Sequence, residues 1–272
     1  MPSTIAQRRA RFRQLHRHGC FVIPNPWDVG TARVLSQMGF PALATTSAGL
    51  GFTMGRPDAP DALDVNTVID HIAAIVTATD LPVSADFQAG YSADTDGMAA
   101  NVARCLDTGV AGLSIEDAVI DADGSLFELP EAVERVAAAR AAIDAAGVDV
   151  LLTARAECFL VDHPDPVRDA IRRLKAYADA GADVLYAPGP KNPADIRAIV
   201  EAVHPKPVNV LLPPGMHVGE LAEIGVRRVS VGSALARAAW GAFLDSAREL
   251  ANEGTSNGLQ NAVSFDELNA LF

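Results

Sequence analysis

A single closed (β/α)8 barrel of the TIM type is the α/β fold this sequence predicts, on three observations. Eight short β-branched runs alternate with Ala-rich helical stretches along the chain, and helical crossovers between consecutive strands make those strands parallel. The length of 272 residues suits an eightfold βα chain closed on itself. The first strand ends in PNPWD and no G-x-G-x-x-G or Walker pattern follows, whereas an open doubly wound sheet wants a Gly-rich phosphate loop at that point. The chain 1–272 therefore reads as one domain, with 234–272 as a C-terminal helix and tail.

Taken in order, the opening MPSTIAQRRARFRQLHRHG is basic, and no signal-type apolar run follows it. It reads as an amphipathic helix with Ile5, Phe12 and Leu15 on one face. Strands are expected at 20–24, 41–46, 82–86, 111–117, 149–155, 182–188, 206–212 and 226–232. Helices are expected at 65–78, 98–108, 130–146, 166–180, 193–203 and 234–251. Pro130 with Glu131 suits a helix start, and Gly109, Gly147 and Gly181 stand where helices stop. A polar GTSNG linker then leads to SFDELNALF, a tail apolar enough to dock on its own domain or on a neighbouring subunit.

The formal charge of −12 argues against nucleic acid and anionic membranes as partners. The acids are spread along the chain, as a soluble surface requires. Cys20, Cys105 and Cys158 have no metal-type spacing, and any disulfide leaves one unpaired, so a reducing, cytoplasmic setting is expected and packing is their expected role. No apolar run reaches the length of a membrane span.

Function in such a barrel collects where the strands end. There the first strand delivers Asn25, Trp27 and Asp28, and the second Thr45, Thr46 and Ser47 followed by Gly49 and Gly51. The third delivers Asp86 and Gln88, the fourth Glu116 and Asp117, the fifth Arg155 and Glu157. Pro188, Asn209 and Ser233 end the last three. Acids and an arginine on one rim suit a divalent cation with an anionic substrate. Mg2+ takes oxygen ligands and keeps several waters, so one or two carboxylates hold it. Arg155 would clamp a carboxylate through two parallel bonds. The backbone amides of Ser47, Ala48 and Gly49 would receive another carboxylate or a developing oxyanion. Each feature also has a plainer reading: Asp86 as a turn cap, Glu116-Asp117 as a solvated pair, Arg155 as a structural partner of Glu116 or Glu157, and Thr45–Ser47 as turn chemistry.

Five segments carry a resemblance: NPWDVGTARVLSQMGFPALATTSAGLGFTMGRPD (25–58), ADFQAGY (85–91), GLSIEDA (112–118), LLTARAECFL (151–160) and the PVNVL…VSVGSALAR run. Together they resemble the isocitrate lyase/phosphoenolpyruvate mutase superfamily, in order and over almost the whole chain, and in particular its short-looped members. The resemblance implies a Mg2+-dependent barrel (Mn2+ as the alternative ion) with enolate chemistry at the strand ends. It implies Asp86 as the direct metal ligand, Asp58 and Glu116 as shapers of the metal's water shell, and Arg155 with Ser47, Ala48 and Gly49 as holders of the substrate carboxylate. Asn209 is a further expected substrate contact, and Arg155 and Glu116 the expected catalytic pair. It also implies a homo-oligomer, dimer or tetramer, in which the C-terminal helix crosses to a neighbour; the Trp240 region and the tail would serve there.

The departures are as informative. Gln88 stands where the family usually places a second acid, and an amide there orders a metal-bound water with one negative charge fewer. The K-K-C-G-H loop of the isocitrate and methylisocitrate lyases is absent: DAVIDADGSLFELP after Glu116 has no Cys, Lys or His. The Asn-bearing loop of the phosphonate mutases is missing, and Pro188 replaces the Glu or His often found at the sixth strand. The expected function is a Mg2+-dependent lyase or decarboxylase acting on a C–C bond of a small 2-oxo or 2-hydroxy carboxylic acid. Decarboxylation asks least of the protein; retro-aldol or retro-Claisen cleavage needs a base, for which Glu157, Asp117 and Tyr91 are the candidates. The alternatives are a C–P bond enzyme, of the phosphonopyruvate hydrolase or phosphoenolpyruvate mutase type, and an oxo-acid-binding barrel with little turnover.

Overall fold

The computed structural model describes residues 3–59, 62–119 and 125–272. Eight parallel strands follow one another around a nearly closed barrel: β1 (Phe21–Ile23), β2 (Leu43–Ala44), β3 (Val83–Asp86), β4 (Gly112–Glu116), β5 (Leu151–Arg155), β6 (Val184–Tyr186), β7 (Val208–Leu211) and β8 (Arg228–Ser230). They fall within the expected segments, with shorter ladders. The ladder runs β1-β8-β7-β6-β5-β4-β3-β2. At the β1–β2 seam the Ala44 amide donates to the Pro24 carbonyl at 3.0 Å. Asn25 staples the same seam: its Nδ2 donates to the Thr45 carbonyl, while its Oδ1 accepts from the amides of Val231 and Gly232. This rim residue is thus a buried fastener.

The helices α1 (Ile5–Leu15), α2 (Val29–Gln37), α3 (Ser47–Thr53), α4 (Val65–Thr77), α5 (Thr95–Asp107), α6 (Leu129–Ala145), α7 (Pro166–Asp179), α8 (Pro193–Val203), α9 (Val218–Ile224), α10 (Ala234–Glu253) and α11 (Phe265–Asn269) complete the described chain. Prolines at the first or second position start α6, α7 and α8, where the missing N–H has no helical acceptor to lose. None is long and apolar enough among the described residues to cross a membrane.

Strand alternation sorts the side chains into two compartments. Val83 and Ala85, Leu113 and Ile115, Leu152 and Ala154, Val208 and Val210, and Val229 belong to the core between barrel and helices. A smaller core at the barrel base holds Phe12, Phe21, Ile23, Ala42, Leu151 and Val184, so α1 plugs that end. Gly112 makes room for the plug, because a Cβ there would lie 2.7 Å from the Phe12 ring. Above the plug the inward positions turn polar.

The C-terminal region packs differently. Of the twenty residues of α10 only Ala236 is buried, and Trp240, Phe243, Leu244 and Leu250 stay exposed. The tail returns to its own domain at its end, where Gln37 Nε2 donates to the Leu271 carbonyl at 2.8 Å.

Candidate functional site

The inward polar positions enclose a chamber of about 210 Å3 that opens at the C-terminal ends of the strands. Ser47, Ala48, Asp58, Asp86, Arg155 and Asn209 line it, together with Tyr186, Arg228, Ser84, Ser114 and Ser230. Most of these come from alternate positions of successive strands, as the pleat requires.

Arg155 is the hub. Its Nη1 donates to Asp86 Oδ1 at 2.7 Å, its Nη2 to Glu116 Oε2 at 3.0 Å and its Nε to Glu157 Oε1 at 2.9 Å. The guanidinium also stands 5.4 Å from the centroid of the Tyr186 ring. Asp86 Oδ2 accepts from both the amide and the hydroxyl of Ser47, each at 2.9 Å, which ties the end of β3 to the start of α3. Thr45 Oγ1 receives the Asp86 amide at 2.9 Å.

Three carboxylates against one arginine leave a local excess of negative charge. Burial, then the charges of Glu157, Asp86 and Asp117 against the opposing pull of Arg155, push the Glu116 carboxyl up to about 8. Burial also raises Glu157, held down in part by Arg155. Asp58 is raised by burial first and by Asp86 second. Burial works against the Arg155 charge, but Glu116, Glu157 and Asp86 hold it well above its ordinary value.

The three expected amide donors are not equally available. The stretch expected as an open turn is the helix α3; Thr46 caps it, so the Gly49 amide donates to Thr46 Oγ1 at 3.2 Å. A Cβ on Gly49 would lie 2.6 Å from Thr46 Cγ2 and 2.8 Å from Trp27 Cβ, so this glycine serves close packing. With the Ser47 amide on Asp86, Ala48 keeps the one N–H of the three without an internal acceptor among the described residues.

Gln88 is two residues beyond Asp86, but it does not line the chamber. Its φ is +43°, and Gly90 and Tyr91 follow at +83° and +55°. Two non-glycine residues in the left-handed region mark a strained turn. The turn breaks the strand alternation, so sharing parity with Asp86 does not place Gln88 beside it. Its carbonyl instead accepts the Glu116 amide at 3.0 Å. At Gly90 a Cβ would meet Met98 Cγ at 2.3 Å.

The base candidates are occupied or protonated. Asp117 faces away from the chamber, where it accepts from the Glu157 amide, Arg173 and the Tyr177 hydroxyl. Glu157 is bound to Arg155. The Tyr91 hydroxyl is buried without a hydrogen-bond partner among the described residues. Burial, then Asp86, Glu116 and Asp58, raise it far above its usual range, so it keeps its proton. Cys105 and Cys158 are buried in the core and Cys20 packs against it, all three as free thiols.

A hard divalent cation fits the donor set. Asp86 and Asp58 bring oxygen ligands to one wall. A carboxylate offers about four acceptor sites, and Asp86 fills three, with Arg155 and twice with Ser47. Among the described residues no three His, Cys, Asp or Glu side chains gather tightly enough to enclose a metal alone.

Sequence reasoning passed over Arg228, Tyr186 and the small hydroxyls Ser84, Ser114 and Ser230. Their signal was the alternation within the strands, where R-V-S puts Arg228 and Ser230 on one face, V-S-A-D does so for Ser84 and Asp86, and L-S-I-E for Ser114 and Glu116.

Residues 12–251 match the phosphoenolpyruvate phosphomutase family. The chain is 28% identical over 264 residues to 2,3-dimethylmalate lyase of Eubacterium barkeri, covering 92% of this chain and 88% of that protein. It is 32% identical over 279 residues to oxaloacetate decarboxylase of Pseudomonas aeruginosa, covering 95% and 92%. Among solved structures, a candidate lyase/mutase from Burkholderia cenocepacia J2315 superposes with a TM-score of 0.93 at 46% identity, over 98% of this chain and 96% of that one.

Proposed function

Since the chain belongs to the phosphoenolpyruvate phosphomutase family, whose relatives here include C–C lyases and decarboxylases, we propose that it is a metal-dependent lyase or decarboxylase. Its substrate in this reading is a small 2-oxo or 2-hydroxy carboxylic acid, cleaved at a C–C bond through an enolate. The observation that carries the reading is the cluster of Asp86, Glu116 and Glu157 on Arg155 at the chamber mouth.

Asp86 would hold Mg2+ (or Mn2+) directly, with Asp58 and Glu116 reaching it through waters; Gln88, which does not line the chamber, drops out of that shell. A bound divalent ion supplies Lewis-acid stabilisation of enolate charge. The chain's own residues do the rest. The free Ala48 amide and the one Arg155 N–H not spent on the acids would receive the substrate carboxylate, with Ser47 and Asn209 on the wall; Gly49 serves packing instead. Glu116 does not line the chamber; it would act by holding Arg155, with which it pairs at 3.0 Å.

Decarboxylation is favoured within this class because none of Glu157, Asp117 and Tyr91 is free to remove a proton. The family match itself supports a second reading, a C–P bond enzyme acting on a phosphonopyruvate-like acid. A panel of oxaloacetate, malate-type, isocitrate-type and phosphonopyruvate acids, assayed with Mg2+ for pyruvate, glyoxylate and phosphoenolpyruvate, tests both. Release from a carboxylic acid, abolished in Asp86→Ala, is the expected result. Product only from phosphonopyruvate, as pyruvate with phosphate or as phosphoenolpyruvate, would establish the second reading. Binding without product from any acid would leave a binding barrel and overturn the lyase.

We also propose that the protein works as a homo-oligomer assembled through α10. A helix with one buried residue in twenty and exposed Trp240, Phe243, Leu244 and Leu250 presents the contiguous apolar face expected of a subunit contact.

A further inference from the structure

Arg228 is a buried cation inside the barrel with no anion beside it. Its residue is 5% exposed. Its Nε donates to Asn209 Oδ1 at 2.8 Å and its Nη2 to Thr153 Oγ1 at 3.0 Å. Its Nη1 approaches His16 Nε2 at 3.4 Å. His16 Nδ1 lies 2.8 Å from the Phe12 carbonyl, which places the ring proton there and leaves Nε2 an acceptor. All three partners are neutral, and they use three of the five N–H groups of a guanidinium. No ion pair involves Arg228 among the described residues.

An uncompensated buried charge is costly. Two other buried arginines also lack a carboxylate, but they are spent differently. Arg9 donates to the carbonyls of Val110 and Leu106, and Arg135 to three carbonyls of the loop before α5. Neither lines the chamber. Arg228 does, and two of its N–H groups remain.

The sheet register places it on the same wall as the hub. Glu116 pairs with Arg155, Arg155 with Tyr186, Tyr186 with Asn209, and Asn209 with Arg228. Residues opposite one another in a ladder point to the same face, so this row lies along the barrel interior. Arg155 and Arg228 stand three strands apart, roughly 14 Å along the wall at about 4.8 Å per step, and both side chains point inward. One arginine is paired with three acids and the other with none.

We propose that Arg228 is the counter-charge for a second carboxylate of the ligand, so that the chamber takes a small dicarboxylate spanning the Asp86–Arg155 mouth and the Arg228 interior. The volume of about 210 Å3 compares with ~30 Å3 for one liquid water. Thr153 and Asn209 hold the guanidinium, and Asn209 Nδ2 in turn donates to Ser230 Oγ at 3.0 Å. The proposal rests on the function proposed above only for what occupies the mouth.

Succinate and propionate differ by one carboxylate and carry no reactive carbonyl, so calorimetry on the full chain with both isolates the second charge. The wild-type protein should bind succinate at least about tenfold more tightly, as expected of one charge-assisted bond. Arg228→Gln should bring the two affinities together while leaving Mg2+ and pyruvate binding within about twofold, since those report on the mouth. Asn209→Asp tests the same point by compensation: it sets a carboxylate against Nε, so the succinate preference should vanish while Tm rises. A role limited to bracing α1 through His16 would lower Tm in Arg228→Gln and leave the preference intact. A preference that survives in folded Arg228→Gln, or in Asn209→Asp where Arg228→Gln does not fold, overturns the proposal. Failure of every acid to yield product would sink the lyase reading and leave this binding comparison decisive.

Discussion

Replacing Arg155 by methionine keeps most of the side-chain volume and removes the only cation that Asp86, Glu116 and Glu157 share among the described residues. Breaking a buried ion pair by deleting one partner costs about 3–5 kcal/mol, a large share of a domain stability of about 5–15 kcal/mol. Three pairs will not cost three times that, because the acids have an escape. Glu116 is already pushed up to about 8, and Glu157 is raised by the same burial, so each can take a proton. Loss of Arg155 raises both further. A carboxyl whose folded pKa exceeds its unfolded value binds more protons when folded, so the stability it contributes is present at low pH and is lost as pH rises through the window between the two. That slope is about 1.4 kcal/mol per pH unit per carboxyl. Urea unfolding in EDTA should therefore show Arg155→Met destabilised by about 3–5 kcal/mol at pH 8 and by clearly less at pH 6. Arg155→Lys should fall between, since an ammonium lacks the planar fork that reaches three acids. A loss below about 1 kcal/mol, or one equal at both pH values, would show that these carboxylates are solvated and that Arg155 is no hub.

Two further outcomes are expected. His16 is pushed down to about 3 by burial first and by Arg228 second; its folded form stays neutral where the unfolded ring protonates, so stability should fall as pH drops from about 6.5, by about 2.7 kcal/mol at pH 4.5. His16→Gln should remove that share of the acid limb, and identical limbs in variant and wild type would contradict the assignment. Trp240→Glu with Phe243→Glu should convert an oligomer to monomer in sedimentation velocity; an unchanged mass, or a monomeric wild type, refutes assembly through α10.

The strands were legible because each is a short β-branched run whose end carries a chemically distinct residue, and a parallel barrel sends all those ends to one rim. Asp86, Arg155 and Asn209 were found that way. What escaped was set by contacts between distant segments. The SAGLG stretch looks like a loop, since Gly49 and Gly51 are poor helix formers, yet Thr46 caps it and Gly49 packs on Trp27. Asp117 and Glu116 are adjacent letters of one type, but the pleat sends one to the helix layer and the other to the hub. Gln88 shares parity with Asp86 and loses its place because the chain turns left-handed there. Arg228 was hidden for another reason: a charged residue in a strand of R-R-V-S is ordinarily assigned to solvent, and the α1 plug that buries it lies over 200 residues earlier.

In the reading proposed above, the two arginines together explain how one chamber would hold both a cation and an anion in a fixed order. Against Arg155 stand three carboxylates, so the β3–β5 side carries net negative charge, the sign that would attract a divalent ion. On the β7–β8 side Arg228 meets only an amide, a hydroxyl and a neutral imidazole, so that side carries positive charge, the sign that would attract a carboxylate. Moving either charge to the other wall would leave like charges facing across the chamber, where their repulsion exceeds that in bulk water. A ligand with an oxo-acid head and an acidic tail therefore has one favourable orientation, with the head at Asp86 and the tail towards Arg228. The alternation that turns Asp86, Ser114, Thr153, Arg155, Tyr186, Asn209 and Arg228 inward above the apolar plug creates this polarity. A barrel filled with Val, Ile and Leu at the same positions would be better packed and would bind nothing.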